Sequence, residues 1–245
     1  MITDNIPYIT FITATFNSEK YLPRALSSMS LIRFKYQHIA IDGGSTDNTI
    51  EILNNSKPEI EVISQKSKGL YPALAEAVEH AEGDYIFFIH SDDEITEFDL
   101  DFSLLKPFRV LYGKVEFCRG RNVFTRNPPV FLRSWLKHFP FIVHPNALYP
   151  RDFFREFPFD PLKWSRKADM MQIAEASKMF DFFRYHGICY RFNVDGGGVT
   201  AAAAKNKKEP RSFFYKFFLL YVFVFFENAR FSRILGKLSN KPFWS

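Results

Sequence analysis

Two adjacent carboxylates, Asp92 and Asp93, follow the apolar run Tyr85–Ile89 (YIFFI), with only His90 and Ser91 between. Side by side at the end of a buried segment, two acids repel each other and lose hydration. A divalent cation, or the donor groups of a ligand, would relieve both costs. Hard cations such as magnesium and manganese take carboxylate oxygens and often share their shell with substrate phosphates. The same acids would also serve as a cap on a following helix, with Asp92 at the N-cap. Local sequence leaves both readings open. A second polar cluster is Asp42-Gly43-Gly44-Ser45-Thr46-Asp47. Its glycines admit positive φ and close approach of the backbone to a ligand, and Asp42 can accept from a base or ribose. A plain strand-to-helix turn capped by Ser45 or Thr46 has the same composition. No GxGxxG run is present, which argues against a dinucleotide-binding layout.

These residues need elements to hold them. Residues 8–13 (YITFIT), 38–41, 60–64 and 85–89 are rich in β-branched and aromatic types and read as strands. Helical spacing of Leu22, Ala25, Leu26 and Met29, and of Leu74, Ala77 and Val78, predicts helices between them. Such alternation with short connections predicts a parallel sheet covered on both faces, with ligands beyond the carboxyl ends of the strands. Thr13–Asn17, Asp42–Asp47 and His90–Asp93 fall at those ends. After residue 100 the pattern changes. Residues 108–118 read as two short strands around Gly113, 128–137 as a short helix and 141–149 as a strand. Residues 167–180 read as an amphipathic helix, 182–190 as a strand and 211–238 as a helix.

In order along the chain, ITFITATFNSEKYLPRAL, IAIDGGSTDNTIEIL, SKGLYPALAEAVEHAEGDYIFFIHSDD, FIVHPNALYPRDFFREFPFD and KADMMQIAEA resemble the family 2 glycosyltransferases. They are most similar to the bacterial members that build cell-surface polysaccharides. The resemblance implies an α/β GT-A fold, a Rossmann-like mixed sheet flanked by helices. It also implies a nucleoside-diphosphate sugar donor, usually a UDP-sugar, a divalent cation (manganese or magnesium) and inverting transfer. By position it implies Thr13, Ala14 and Asn17 near the nucleoside and Asp42 on the base. Lys68 and Gly69 match the basic-glycine pair before the nucleotide-facing helix. Asp92 and Asp93 match the acids that meet ribose and metal, and Asp169 matches the general base. His144 matches a histidine near the acceptor or diphosphate. Residues 196–200 resemble a loop that closes over the nucleotide.

Three positions depart from the family pattern. His90 stands where many relatives carry Asp or Asn, Pro72 replaces an Asp and Ala75 an Asn. The QxxRW motif of processive synthases is absent, which favours transfer of a single sugar. A sugar nucleotidyltransferase is a rival reading, but it needs a Gly- and Arg-rich phosphate loop after the first strand, and TATFNSEK lacks one. A relative that binds a sugar nucleotide without turnover, as partner or scaffold, is the other rival, motivated by His90 and Pro72. Tyr71, Trp135, Tyr149 and Trp164 could stack on sugar rings, with core packing as the ordinary alternative.

The chain of 245 residues is 47% hydrophobic and 24% charged, which excludes a disordered or fibrous protein. Its two cysteines, Cys118 and Cys189, have no partner at metal spacing, so a zinc cluster is excluded. Charge is uneven. Residues 205–245 hold nine Lys/Arg and two Glu, whereas 1–204 hold 23 basic and 25 acidic residues. We therefore divide the chain into a catalytic domain, 1–204, and a basic, aromatic helical tail, 205–245. Residues 213–226 (FFYKFFLLYVFVFF) are apolar all round except for Tyr215, Lys216 and Tyr221. They are too short to span a bilayer, which needs roughly 20 apolar residues. Flanked by Lys and Arg, they suit an interfacial helix on an anionic inner leaflet, or else a packed helix or homodimer contact. No basic n-region of a secretory signal precedes them. The expectation is a cytoplasmic protein, peripheral at the inner face of the plasma membrane, working on a lipid-linked saccharide and binding no nucleic acid.

Overall fold

A computed structural model of the chain describes residues 8–127, 142, 144–159 and 168–194. Strand β1 (Ile9–Thr15) is buried at every position but Ala14, as a strand covered on both faces must be. Strands β2 (Gln37–Asp42) and β4 (Tyr85–Phe88) lie parallel on either side of it, and β3 (Glu61–Ser64) lies parallel beyond β2. Side chains alternate between faces along each strand. On one face Ile12, Ile39, Ile41, Ile86 and Phe88 pack under Ala73, Leu74 and Ala77 of helix α3 (Leu70–Glu79). On the other, Ile9, Phe11 and Phe87 pack under Ala25 of α1 (Leu22–Ser28), with Met29 and Ile32 just beyond it. Helix α2 (Thr49–Asn54) joins β2 to β3.

Beyond β4 the sheet turns mixed. Strand β8 (Ala147–Pro150) is antiparallel to β4 and to β6 (Arg109–Arg119). Strand β9 (Asp181–Asn193) runs parallel to β6 and antiparallel to β5 (Glu94–Phe98). Strand β7 (Asn122–Arg126) makes a hairpin with β6. Among the described residues the nine strands form one sheet in the order β3-β2-β1-β4-β8-β6-β9-β5, with β7 paired to β6. Helices α4 (Asp152–Glu156) and α5 (Ala168–Ala176) complete the described elements, and Phe153, Phe154, Ile173 and Ala176 join the core on the α3 face.

Several expectations need correction. Gly113 does not separate two strands: β6 runs straight through it. A Cβ there would lie 2.2 Å from the Ile188 carbonyl oxygen, so the glycine lets β9 approach where the register shifts. The segment after Asp93 is strand β5, so Asp92 caps no helix. Within the expected strand at 141–149, the described residues carry the short strand β8, entered through a 3-10 turn at His144–Asn146. Helix α5 stops at Ala176, earlier than the expected 180, while β9 continues three residues past the expected 190. The expected helices at 128–137 and 211–238, the 196–200 loop, Trp135 and Trp164 lie outside the described residues.

Candidate active site

Thr15 lies opposite Asp42 and Ile12 opposite Phe88, so the loops leaving β1, β2 and β4 share one end of the sheet. Asp42 is 4% exposed. Its Oδ2 accepts from the Gly44 and Ser45 amides (2.9 and 2.7 Å). Its Oδ1 accepts from the Ser45 and Thr15 hydroxyls (2.5 and 2.9 Å). A carboxylate offers about four lone-pair positions, so Asp42 here builds the turn. A base reaching it would have to replace one of these donors. Asn17, at φ 47, ties the neighbouring loop to this one: its Oδ1 accepts from the Thr46 amide (2.8 Å) and its own amide donates to Ser45 Oγ (2.8 Å). Thr13 is directed inward instead, its Oγ1 2.9 Å from Nε2 of buried His38. Ala14 is half-buried at the strand end. Sequence reasoning missed Phe16, which is 62% exposed beside Gly43 and Gln65.

Lys68 is exposed on the loop that enters α3. Gly69 has φ +113, a conformation that side chains rarely adopt, and Gln65 Nε2 donates to its carbonyl (2.8 Å) and to that of Ser67. Pro72 sits in the first turn of α3, where a missing amide proton costs nothing.

The acidic turn after β4 is bound on several sides. Ser91 Oγ lies 2.9 Å from Ser18 Oγ, which links it to the β1 loop. Asp92 is half-buried, and its carbonyl accepts from Asn193 Nδ2 (2.6 Å). Asp93 departs from the metal-facing placement that the resemblance implies. It is 1% exposed, and its two oxygens accept from the Tyr190 hydroxyl and the Asn193 amide, both at 2.8 Å. Burial first, and then the neighbouring Asp92 charge, hold its pKa well above the usual carboxylate range. Tyr190 and Asn193 had no signal in the sequence, because they lie about a hundred residues away in an unremarkable strand.

His90 faces both Asp92 and Asp169. Burial lowers its pKa, and the two carboxylates oppose that shift. Asp169, in the first turn of α5, accepts at Oδ1 from the Tyr71 hydroxyl of α3 (2.9 Å). Burial raises its pKa; hydrogen bonds, including that from Tyr71, and the His90 charge pull the other way. Tyr71 also stacks on Phe159, with ring centroids 5.7 Å apart. Thus Asp92, His90, Tyr71 and Asp169 converge from three distant stretches. His144 lies behind them, stacked on Tyr149 and against Phe88. Burial, then the His90 charge, push its pKa down to about 3, so it is neutral. Tyr149 is fully buried and belongs to the core.

Among the described residues no three His, Cys, Asp or Glu side chains gather to hold an ion by themselves. A hard cation that takes oxygens from a diphosphate needs only one or two protein carboxylates. The half-buried Asp92, with His90 beside it, fits that smaller demand; inward-turned Asp93 does not.

Comparison with known proteins agrees with this architecture. Residues 10–157 match the family described as Glycosyl transferase family 2, and the chain belongs to it. An uncharacterized glycosyltransferase of Haemophilus influenzae is 35% identical over 125 residues, 46% of this chain and 49% of that protein. The poly(ribitol-phosphate) beta-glucosyltransferase of Bacillus spizizenii is 29% identical over 127 residues, 47% of this chain and 20% of the relative. The chain therefore matches about half or less of the length of these relatives. Among solved structures, S. aureus TarS 1-349 in complex with UDP-GlcNAc superposes with a TM-score of 0.59 at 22% identity, covering 80% of this chain and 61% of the 1-349 chain. Mannosyltransferase PcManGT from Pyrobaculum calidifontis, in complex with GDP-Man and Mn2+, gives 0.56 at 16% identity, covering 84% and 67%. The mixed sheet flanked by helices is the Rossmann-like GT-A fold.

Proposed function

We propose that the chain transfers a single sugar, with inversion, from a nucleoside-diphosphate donor to a lipid-linked saccharide of a surface glycan. UDP-sugars are the favoured donors. The reading rests on one observation: the Asp169 carboxylate, oriented by the Tyr71 hydroxyl, stands beside His90 on the turn that carries Asp92. An acceptor hydroxyl is a poor nucleophile near pH 7, so a carboxylate has to take its proton as the new bond to the anomeric carbon forms and the bond to the diphosphate breaks. Burial suits Asp169 to that task by making it more basic. Asp92, together with donor phosphate oxygens, would hold a manganese or magnesium ion, which supplies positive charge to offset that growing on the leaving diphosphate. The loops built by Asn17 and Asp42, with Lys68 and Gly69 on the loop between β3 and α3, would receive the nucleoside and diphosphate. His144, neutral and buried behind these groups, would back the part of the site that meets the acceptor or the diphosphate. Donors bound to TarS and PcManGT, and the polymer named for the Bacillus relative, support the substrate classes.

The test is transfer or hydrolysis of UDP-sugars, with GDP-mannose as a second donor, in the presence of manganese. Asp169→Asn should lower turnover by roughly 100- to 10,000-fold while UDP binding is kept. Equal turnover in the two proteins would refute the assignment.

The same reading puts residues 205–245 against an anionic leaflet at the cytoplasmic face of the membrane, with a homodimer contact as the alternative use. Among the described residues no helix is long and apolar enough to cross a membrane. The intact chain should sediment with phosphatidylglycerol vesicles more strongly than a chain ending at residue 204; identical sedimentation would defeat the membrane assignment.

A further inference from the structure

We propose that Asp93, Tyr190 and Asn193 form a latch that fixes the turn carrying His90 and Asp92, which makes Asp93 a positioning residue of the donor site. The inference rests on the glycosyltransferase reading above. Tyr190 Oη is the hub. It donates to Asp93 Oδ2 (2.8 Å) and accepts from the His90 amide (3.1 Å). Asn193 closes the other side, its amide donating to Asp93 Oδ1 (2.8 Å) and its Nδ2 to the Asp92 carbonyl (2.6 Å). The main chain at His90 and Asp92 and the side chain of Asp93 are therefore tied to one strand.

That strand is well suited to act as a reference. β9 is paired with β6 on one side and β5 on the other, and Tyr190 is fully buried. Turning Asp93 outward to an ion would leave the Tyr190 hydroxyl proton and the Asn193 amide without an acceptor in the interior, which proteins avoid. Asp92, only half-buried, lies in the field of His90. The division of labour follows: Asp93 faces the sheet and sets the turn, while Asp92 faces the ligand. Position matters because a displacement of about 1 Å in a reacting site costs on the order of 100-fold in rate.

The experiment measures UDP affinity of the full chain by calorimetry, with and without manganese. Variants are Asp92→Asn, Asp93→Asn, Tyr190→Phe, the Asp93→Asn/Tyr190→Phe double and Asn193→Ala. Asp92→Asn should abolish the gain in affinity that manganese gives. Tyr190→Phe, which alters no group at the ligand, should weaken manganese-dependent binding by roughly tenfold, the loss expected for one displaced interaction of about 1.4 kcal/mol. Asp93→Asn should do the same while keeping part of the manganese gain. The double should be no worse than Tyr190→Phe alone, because both changes break the same Tyr190–Asp93 bond. The latch is overturned if Asp93→Asn abolishes the manganese gain as Asp92→Asn does while Tyr190→Phe behaves as wild type. It is also overturned if folded Asp93→Asn and Tyr190→Phe proteins both bind as wild type. Should those two fail to fold, Asn193→Ala decides: weakened binding supports the latch and unchanged binding sinks it. If the wild-type chain takes up no UDP at all, the donor reading falls separately. The latch is then judged by hydrogen exchange of residues 90–94, which Tyr190→Phe must accelerate and which unchanged exchange would refute.

Discussion

Asp169 and Tyr71 are 98 positions apart in the chain, yet one hydroxyl-to-carboxylate bond joins them. That bond favours the ionised acid, whereas burial disfavours it. Removing the hydroxyl leaves burial less opposed, so the pKa of Asp169 must rise further in Tyr71→Phe. The base is then protonated up to a higher pH, and the acid limb of a kcat/KM profile should move upward. Turnover at the optimum should fall by about tenfold, the order expected for one hydrogen bond to a charged group. A limb that stays in place or moves down would disprove the coupling. The sequence offered Asp169 only through resemblance and offered Tyr71 as a candidate for stacking or core. Neither spacing nor composition reveals a bond between a strand-following helix and one begun nearly a hundred residues later. Asp42 teaches a related lesson: its place at a strand end was readable, but not that Thr15, Gly44 and Ser45 would occupy its oxygens.

Strands β1, β2 and β4 could be read in advance because they are buried on both faces and so appear as apolar runs that end in polar clusters. The second half of the sheet was not readable in the same way. β6, β8 and β9 are joined by long-range pairing, and the order β8-β6-β9-β5 follows from no local pattern. Gly113 shows the difficulty. A glycine between two β-rich stretches reads as a turn, whereas here it marks the crossing of two backbones. Adding one methyl group there brings it against main chain, which cannot swing aside as a side chain can. Gly113→Ala should therefore destabilise by about 1–3 kcal/mol, lowering Tm by roughly 2–4 °C for each kcal/mol. An unchanged melting temperature would mean that β6 and β9 slide apart easily, and would remove the rigidity on which the placement of Tyr190 depends.

At the scale of the molecule, acid stability is set in part by a histidine far from the chemistry. His38, on β2, is buried beside the Tyr36 ring and bonded to Thr13, with its pKa lowered to about 4 by burial. The folded chain keeps this ring neutral, while the unfolded chain protonates it below about 6.5. Its contribution is thus complete above that value and is lost as the pH falls from 6.5 to 4, at a cost on the order of 3 kcal/mol. Urea unfolding midpoints should drop across this window, and His38→Gln should flatten the drop; parallel pH curves would disprove the role. The rims of the sheet have a different consequence. The strands at the two ends of the path are short, β3 with exposed Glu61 and β5 with Glu94 and Glu97, paired to Arg24 and Lys114. Unpaired peptide groups on such margins invite another chain to add itself, and carboxylates on a short rim discourage it. Crowding of many copies therefore finds little ladder to extend at these two borders, which leaves β7, paired only with β6 among the described residues and carrying exposed Val123 and Phe124, as the margin where another chain could join.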